Sequence, residues 1–153
     1  MDDKRFLQKA IMKAKESVAQ GGFPAGAIVV KNGKIIGEGI SIGNNLNDPT
    51  AHGEMVAIRD ACKKLKTSDL SGATLFASMQ PCLMCFGAVA WSAISKIIFA
   101  CSKERVLDDY YGGRYQLSAI NSELVHPIEI VHFVELEEES LAVVREWERA
   151  LKK

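Results

Sequence analysis

Two short segments constrain this chain most, His52-Gly53-Glu54 and Met79-Gln80-Pro81-Cys82-Leu83-Met84-Cys85. One histidine and two cysteines make a metal centre only in a fold that brings these distant segments together. Cys82 and Cys85 stand three apart at the expected start of a helix. Both sulfurs then fall on one face, about one turn apart. A helix N-terminus favours thiolate, the species that ligates metal. His52 is expected in the first turn of its own helix, so two facing helix ends would supply one nitrogen and two sulfurs. Thiolates with imidazole select zinc, Zn2+, and three protein ligands with an open fourth position mark a catalytic site. Glu54 does not share the His52 face and is a poor second ligand. Its longer side chain would reach a water at the open position, whose pKa zinc lowers toward about 7, and would carry its proton as the catalytic acid–base.

Two blander readings compete. A redox Cys-x-x-Cys at a helix start leaves His52-Gly53-Glu54 unexplained. A structural zinc site needs a fourth ligand, and His126, His132 and Cys101 lie far along the chain, where each reads as an ordinary packed or surface residue. Cys62 and Cys101 read as buried thiols.

The remaining sequence supplies a frame. Phe6, Leu7, Ala10, Ile11, Ala14 and Val18 keep helical spacing over 3–20, and Gly21-Gly22 ends that helix. Ala27–Val30 and Lys34–Gly39 read as strands around the hairpin signal Asn32-Gly33. Residues 41–47 form a polar loop. Asp48-Pro49 reads as an N-cap and first position of a helix over 49–65. A strand over 73–78 follows, then a helix opened by Pro81 whose faces are apolar nearly all round, predicting deep burial or a subunit contact. Residues 96–100 form a strand, 102–122 an irregular functional loop, 128–134 a last strand, and 137 onward a terminal helix with its acids at the favourable end. Helices between strands predict an α/β fold, a three-layer α/β/α sandwich on a central mixed five-stranded sheet, with the hairpin antiparallel and the later strands parallel.

At 153 residues the chain reads as one domain over 1–153. Lys+Arg equals Asp+Glu at 19 each, which argues against nucleic acid as a partner. The start at Met1-Asp2-Asp3 leads into an amphipathic pattern, and no apolar run approaches the roughly 18 residues of a membrane span. These point to a cytoplasmic protein with no membrane partner, in which the 4 cysteines are not disulfide-paired.

His-x-Glu followed by Pro-Cys-x-x-Cys is the signature of zinc deaminases. The chain resembles the cytidine and deoxycytidylate deaminase superfamily, in particular its branch of guanine, tRNA adenosine and cytosine deaminases. The resemblance runs from about Phe6 to Ala100 and includes Asn47-Asp48-Pro49-Thr50-Ala51-His52-Gly53-Glu54. It implies a deaminase fold, usually a homodimer, with His52, Cys82 and Cys85 on one zinc and Glu54 shuttling protons. Backbone around Ala51 and Cys82 would orient a nucleobase-like small-molecule substrate, with Phe23 beside it. Asp108-Asp109 resembles a guanine deaminase segment and would accept hydrogen bonds from a guanine-like ring. Trp147 on the terminal helix resembles a closing residue of guanine deaminases, though core packing is the expectation here. Ser41 stands where the family usually has a base-binding Asn, leaving Asn44 to replace it through a rearranged loop, and Gln80 stands where a Glu commonly precedes Pro-Cys. Guanine is the first expectation for substrate, then cytosine, then adenosine in tRNA. A catalytically silent binding subunit is the non-enzyme alternative, and retention of Glu54 argues against it.

Overall fold

The structure, a computed structural model, describes residues 2–152; Met1 and Lys153 lie outside the described residues. In chain order the elements are α1 (Asp3–Ala19), β1 (Gly26–Lys31), β2 (Lys34–Ile40), α2 (Gly43–Leu46), α3 (Gly53–Leu65), β3 (Thr74–Met79), α4 (Leu83–Trp91), β4 (Lys96–Cys101), α5 (Leu117–Ser122), β5 (Glu129–His132) and α6 (Glu137–Leu151). Single 3-10 turns cover Lys103–Arg105, Asp108–Tyr110 and Val134–Leu136.

The five strands form one sheet in the order β2-β1-β3-β4-β5. β1 runs antiparallel to β2 and β3, while β3/β4 and β4/β5 are parallel. Side chains alternate across the central strands, as period-two geometry requires. Ala27, Val29, Leu75, Ala77, Ile97 and Phe99 face a core with Ala57, Ala61, Phe86 and Val89 of α3 and α4. Ile28, Val30, Phe76, Ile98 and Ala100 face the opposite core with Leu7, Ala10, Ile11 and Ala14 of α1 and Val143 of α6. Each fully buried Leu, Ile or Phe contributes about 1.5–3 kcal/mol, so the sheet is fixed from both sides. The expected three-layer α/β/α architecture with a mixed five-stranded sheet is the one observed.

The β1–β2 turn uses left-handed Asn32 (φ 51) and Gly33 (φ 74), the Asn-Gly hairpin geometry. At Gly39 an added Cβ would sit 2.1 Å from the Gly53 carbonyl oxygen. The absence of that atom lets α3 settle onto β2 with its N-terminus at the sheet end.

Several boundaries depart from the sequence reading. α3 begins at Gly53, not Pro49. Asp48 caps a turn instead, its Oδ1 accepting the Thr50 N–H (2.9 Å) and hydroxyl (2.6 Å). Asp48-Pro49 is ambiguous because an Asx turn and a helix N-cap use the same side-chain acceptor. α4 likewise begins at Leu83, with Pro81 buried ahead of it. The polar loop 41–47 contains the short α2, the stretch 102–122 contains two 3-10 turns and α5, and the last strand is only 129–132. Nor is α4 deeply buried all round: Leu83 is 49% and Trp91 91% exposed. No helix among the described residues is long and apolar enough to cross a membrane.

Candidate active site

One end of the sheet gathers every segment that matters. β1 starts there, while β2, β3 and β4 end there, and α3 and α4 point their N-termini at it. Between them opens a cleft of about 740 Å³. Ligands of open α/β sheets sit outside the carboxyl ends of strands, as here beyond β3 and β4. Buried Ser17 joins two rims, its hydroxyl donating to the Phe23 carbonyl (2.6 Å) and accepting the Ser41 N–H (3.2 Å).

His52 is the residue capping α3, and Cys82 the one capping α4. Both have extended backbone just before their helices, so neither lies in the first turn as the spacing suggested. Cys85 lies inside α4 and is fully buried. His52 Nδ1 stands 3.5 Å from Cys82 Sγ and 3.6 Å from Cys85 Sγ. The three ligating atoms all lie within 4.8 Å of one another. A nitrogen about 2.0–2.1 Å and a sulfur about 2.3 Å from one tetrahedral zinc are themselves about 3.6 Å apart. The observed spacings therefore fit zinc without rearrangement. These three residues form the group of metal-ligating side chains found among the described residues, leaving a fourth position for another ligand.

Electrostatics at the three groups favour a thiolate at Cys82. A hydrogen bond from Cys85, reinforced by His52, holds the Cys82 thiol down to about 4 against the opposing effect of burial. The Cys85 thiol is pushed up in turn, because it donates to the Cys82 thiolate. His52 is raised, first by its hydrogen bond with Cys82. Glu54, 6% exposed, lines the same cleft as His52 and Cys82. Burial, then the Cys82 charge, pushes its carboxyl up to about 7. A bound dication would oppose that rise.

Another part of the lining is aromatic. Phe23, Tyr110 and Trp147 meet edge to face, with ring centroids 5.2 Å (Phe23–Tyr110), 5.1 Å (Phe23–Trp147) and 6.0 Å (Tyr110–Trp147) apart. All three line the cleft, so Trp147 is a cleft residue rather than the core residue expected. Tyr111 also lines the cleft, its hydroxyl donating to the Gln80 carbonyl (2.7 Å).

The expected substrate contacts divide. Phe23, Ser41, Asn44, Gln80 and Asp109 line the cleft. Gln80 Oε1 is already occupied by the Lys103 N–H (3.1 Å), so that side chain braces the following turn. Ala51 is buried and outside the cleft lining. Its N–H donates to the Asp48 carbonyl and its carbonyl accepts the Ile42 N–H, both at 3.1 Å, so it orders the loop and presents no free N–H to a base. Asp108 turns away to Arg114 (2.7 Å). Asn47, Asp48, Tyr110, Tyr111 and Trp147 line the cleft without having been singled out as substrate contacts. Gly112 (φ 73) and Gly113 (φ 157) were the available signal for the tyrosines, because they mark a tight turn just after Tyr110-Tyr111.

Residues 1–101 match the family model of the cytidine and deoxycytidylate deaminase zinc-binding region. The tRNA-specific adenosine deaminase of Aquifex aeolicus is 42% identical over 113 residues, 74% of this chain and 72% of that protein. The guanine deaminase of Bacillus subtilis is 44% identical over 101 residues, 65% of each chain, so the match spans just under two thirds of that relative. Further relatives also carry the name tRNA-specific adenosine deaminase. Among solved structures, an X-ray structure of Bacillus subtilis guanine deaminase superposes with a TM-score of 0.68 at 32% identity, covering 97% of this chain and 95% of that one.

Proposed function

Because this chain belongs to the cytidine and deoxycytidylate deaminase family, we propose that it is a single-domain zinc aminohydrolase converting guanine and water to xanthine and ammonia. His52, Cys82 and Cys85 hold one zinc per chain. When bound there, zinc supplies Lewis-acid activation of water, lowering its pKa toward about 7. Glu54 takes a proton from the attacking water as its oxygen adds to the amino-bearing ring carbon. It then delivers that proton to the amino nitrogen, so the C–N bond breaks with ammonia as the leaving group. The aromatic wall holds the flat ring, and Asp109 accepts hydrogen bonds from ring N–H groups.

The observation that carries a free base is the lining of the cleft. Phe23, Tyr110, Trp147 and Asp109 line it, and among its described lining residues no lysine or arginine offers a cation to phosphate. A second reading, adenosine deamination in tRNA, is favoured by the names of several relatives. It needs cationic surface for backbone phosphates, and the net charge is zero. Ammonia release from guanine, with Glu54→Ala as blank, tests the first reading. Adenosine-to-inosine conversion in an anticodon stem-loop, without release from guanine, would replace it with the second.

Two copies pair through the exposed apolar face of α4, where Leu83 and Trp91 stand in solvent. Sedimentation velocity checks this: a dimer is expected, and Trp91→Glu should shift it to monomer.

A further inference from the structure

The turn Asp108–Tyr110 carries a geometric constraint that the reaction chemistry does not need. Three residues per 3-10 turn send successive side chains about 120° apart. Asp108 goes outward to Arg114 Nε at 2.7 Å. Asp109 lines the cleft. Tyr110 reaches α6, where its hydroxyl donates to the Glu148 carboxylate. The rotation of the turn is thus held on both sides of Asp109. Glu148 follows Trp147 directly on α6, so one clasp joins the Asp109-bearing turn to the Trp147-bearing helix. The start of α6 is anchored separately: Arg105 pairs with Glu137 (3.1 Å) and Glu138 (2.9 Å), and the Ser140 hydroxyl donates to the Ser78 carbonyl (2.6 Å). Loss of the Glu148 contact therefore removes one of the holds on the turn without releasing the base of the helix.

We propose that Glu148 is a positioning residue for base recognition: through Tyr110 it fixes the rotation of the turn that aims the Asp109 carboxylate into the cleft. This rests on the reading that the cleft takes a base. Glu148 touches no reacting atom, so its loss acts on substrate affinity and leaves proton transfer at Glu54 in place.

The test combines kinetics on the zinc-loaded full chain with hydrogen exchange of the amides at 108–113. Glu148→Ala should raise KM for guanine about tenfold, the scale of a hydrogen bond to a charged group, with kcat within about twofold. Glu148→Gln keeps an acceptor for the tyrosine hydroxyl and should restore most of the loss. In an Asp109→Ala background, Glu148→Ala should add less than about twofold, because both changes remove one contact. A full Glu148→Ala effect in that background, or a fall in kcat at fixed KM, overturns the proposal. Exchange at 108–113 should quicken in Glu148→Ala whether or not guanine is turned over; unchanged exchange overturns the clasp. A wild-type protein inactive on guanine would remove the functional reading, while the exchange arm still decides on Glu148.

Discussion

The metal end and the aromatic wall line one cleft, yet they are built on different principles. His52, Glu54, Cys82 and Cys85 stand at the starts of two helices packed on the central strands. Their placement follows from helix ends meeting a sheet end, and Cys85 and Glu54 are buried against it. The wall draws Phe23 from the α1–β1 connection, Tyr110 from a 3-10 turn and Trp147 from the last helix. Its members are held by side-chain contacts across long sequence distances. Tyr110 and Trp147 also lie beyond residues 1–101, the stretch that matches the family model. The metal end thus lies within the stretch that matches the family model, and most of the aromatic wall lies outside it.

This division makes substitutions separable. Glu54→Ala should have the largest effect, lowering turnover by about 10²–10⁴-fold with one zinc per chain by metal analysis and an unchanged circular dichroism spectrum. Cys85→Ala should abolish zinc binding. A chelator should lower the melting temperature of the wild type and leave that variant unmoved, because metal bound only to the folded state adds stability. Trp147→Ala should raise KM by roughly 5–100-fold, the range of one base–aromatic stack, with zinc retained. Loss of zinc from Trp147→Ala would show that the wall and the metal end are one unit.

The last expected effect is on stability alone and lies at the base of α6. Burial pushes the Glu137 carboxyl up, but the Ser102 N–H (2.8 Å) and His132 (2.9 Å) outweigh it and leave it lowered. A lowered carboxyl contributes stability above its unfolded pKa of about 4.3, lost as pH falls through the folded value. Glu137→Gln should therefore cost about 1–3 kcal/mol near neutral pH. In urea titrations the gap from wild type should narrow below pH about 4, and a gap constant with pH would refute the assignment.

The metal end was legible in the sequence because its information is local. Cys82 and Cys85 declare a shared face by spacing, and His52-Gly53-Glu54 declares its partner. The sheet was legible for the same reason, since Asn32-Gly33 and the apolar runs encode register and burial directly. What the sequence hid was relational. Trp147 has the helical spacing of a core residue, and only the position of α6 turns it toward Phe23 and Tyr110. Asp108 and Asp109 are the same residue type side by side, and a 3-10 turn sends one to Arg114 and the other to the cleft. Ser41 lines the cleft, and its backbone position depends on Ser17 twenty-four residues earlier.

The decisive measurement is ammonia released per guanine by the zinc-loaded protein, with Glu54→Ala as the blank. Stoichiometric, Glu54-dependent conversion to xanthine at one zinc per chain is the expected result. Zinc-loaded, folded protein that releases no ammonia from guanine above that blank would contradict it.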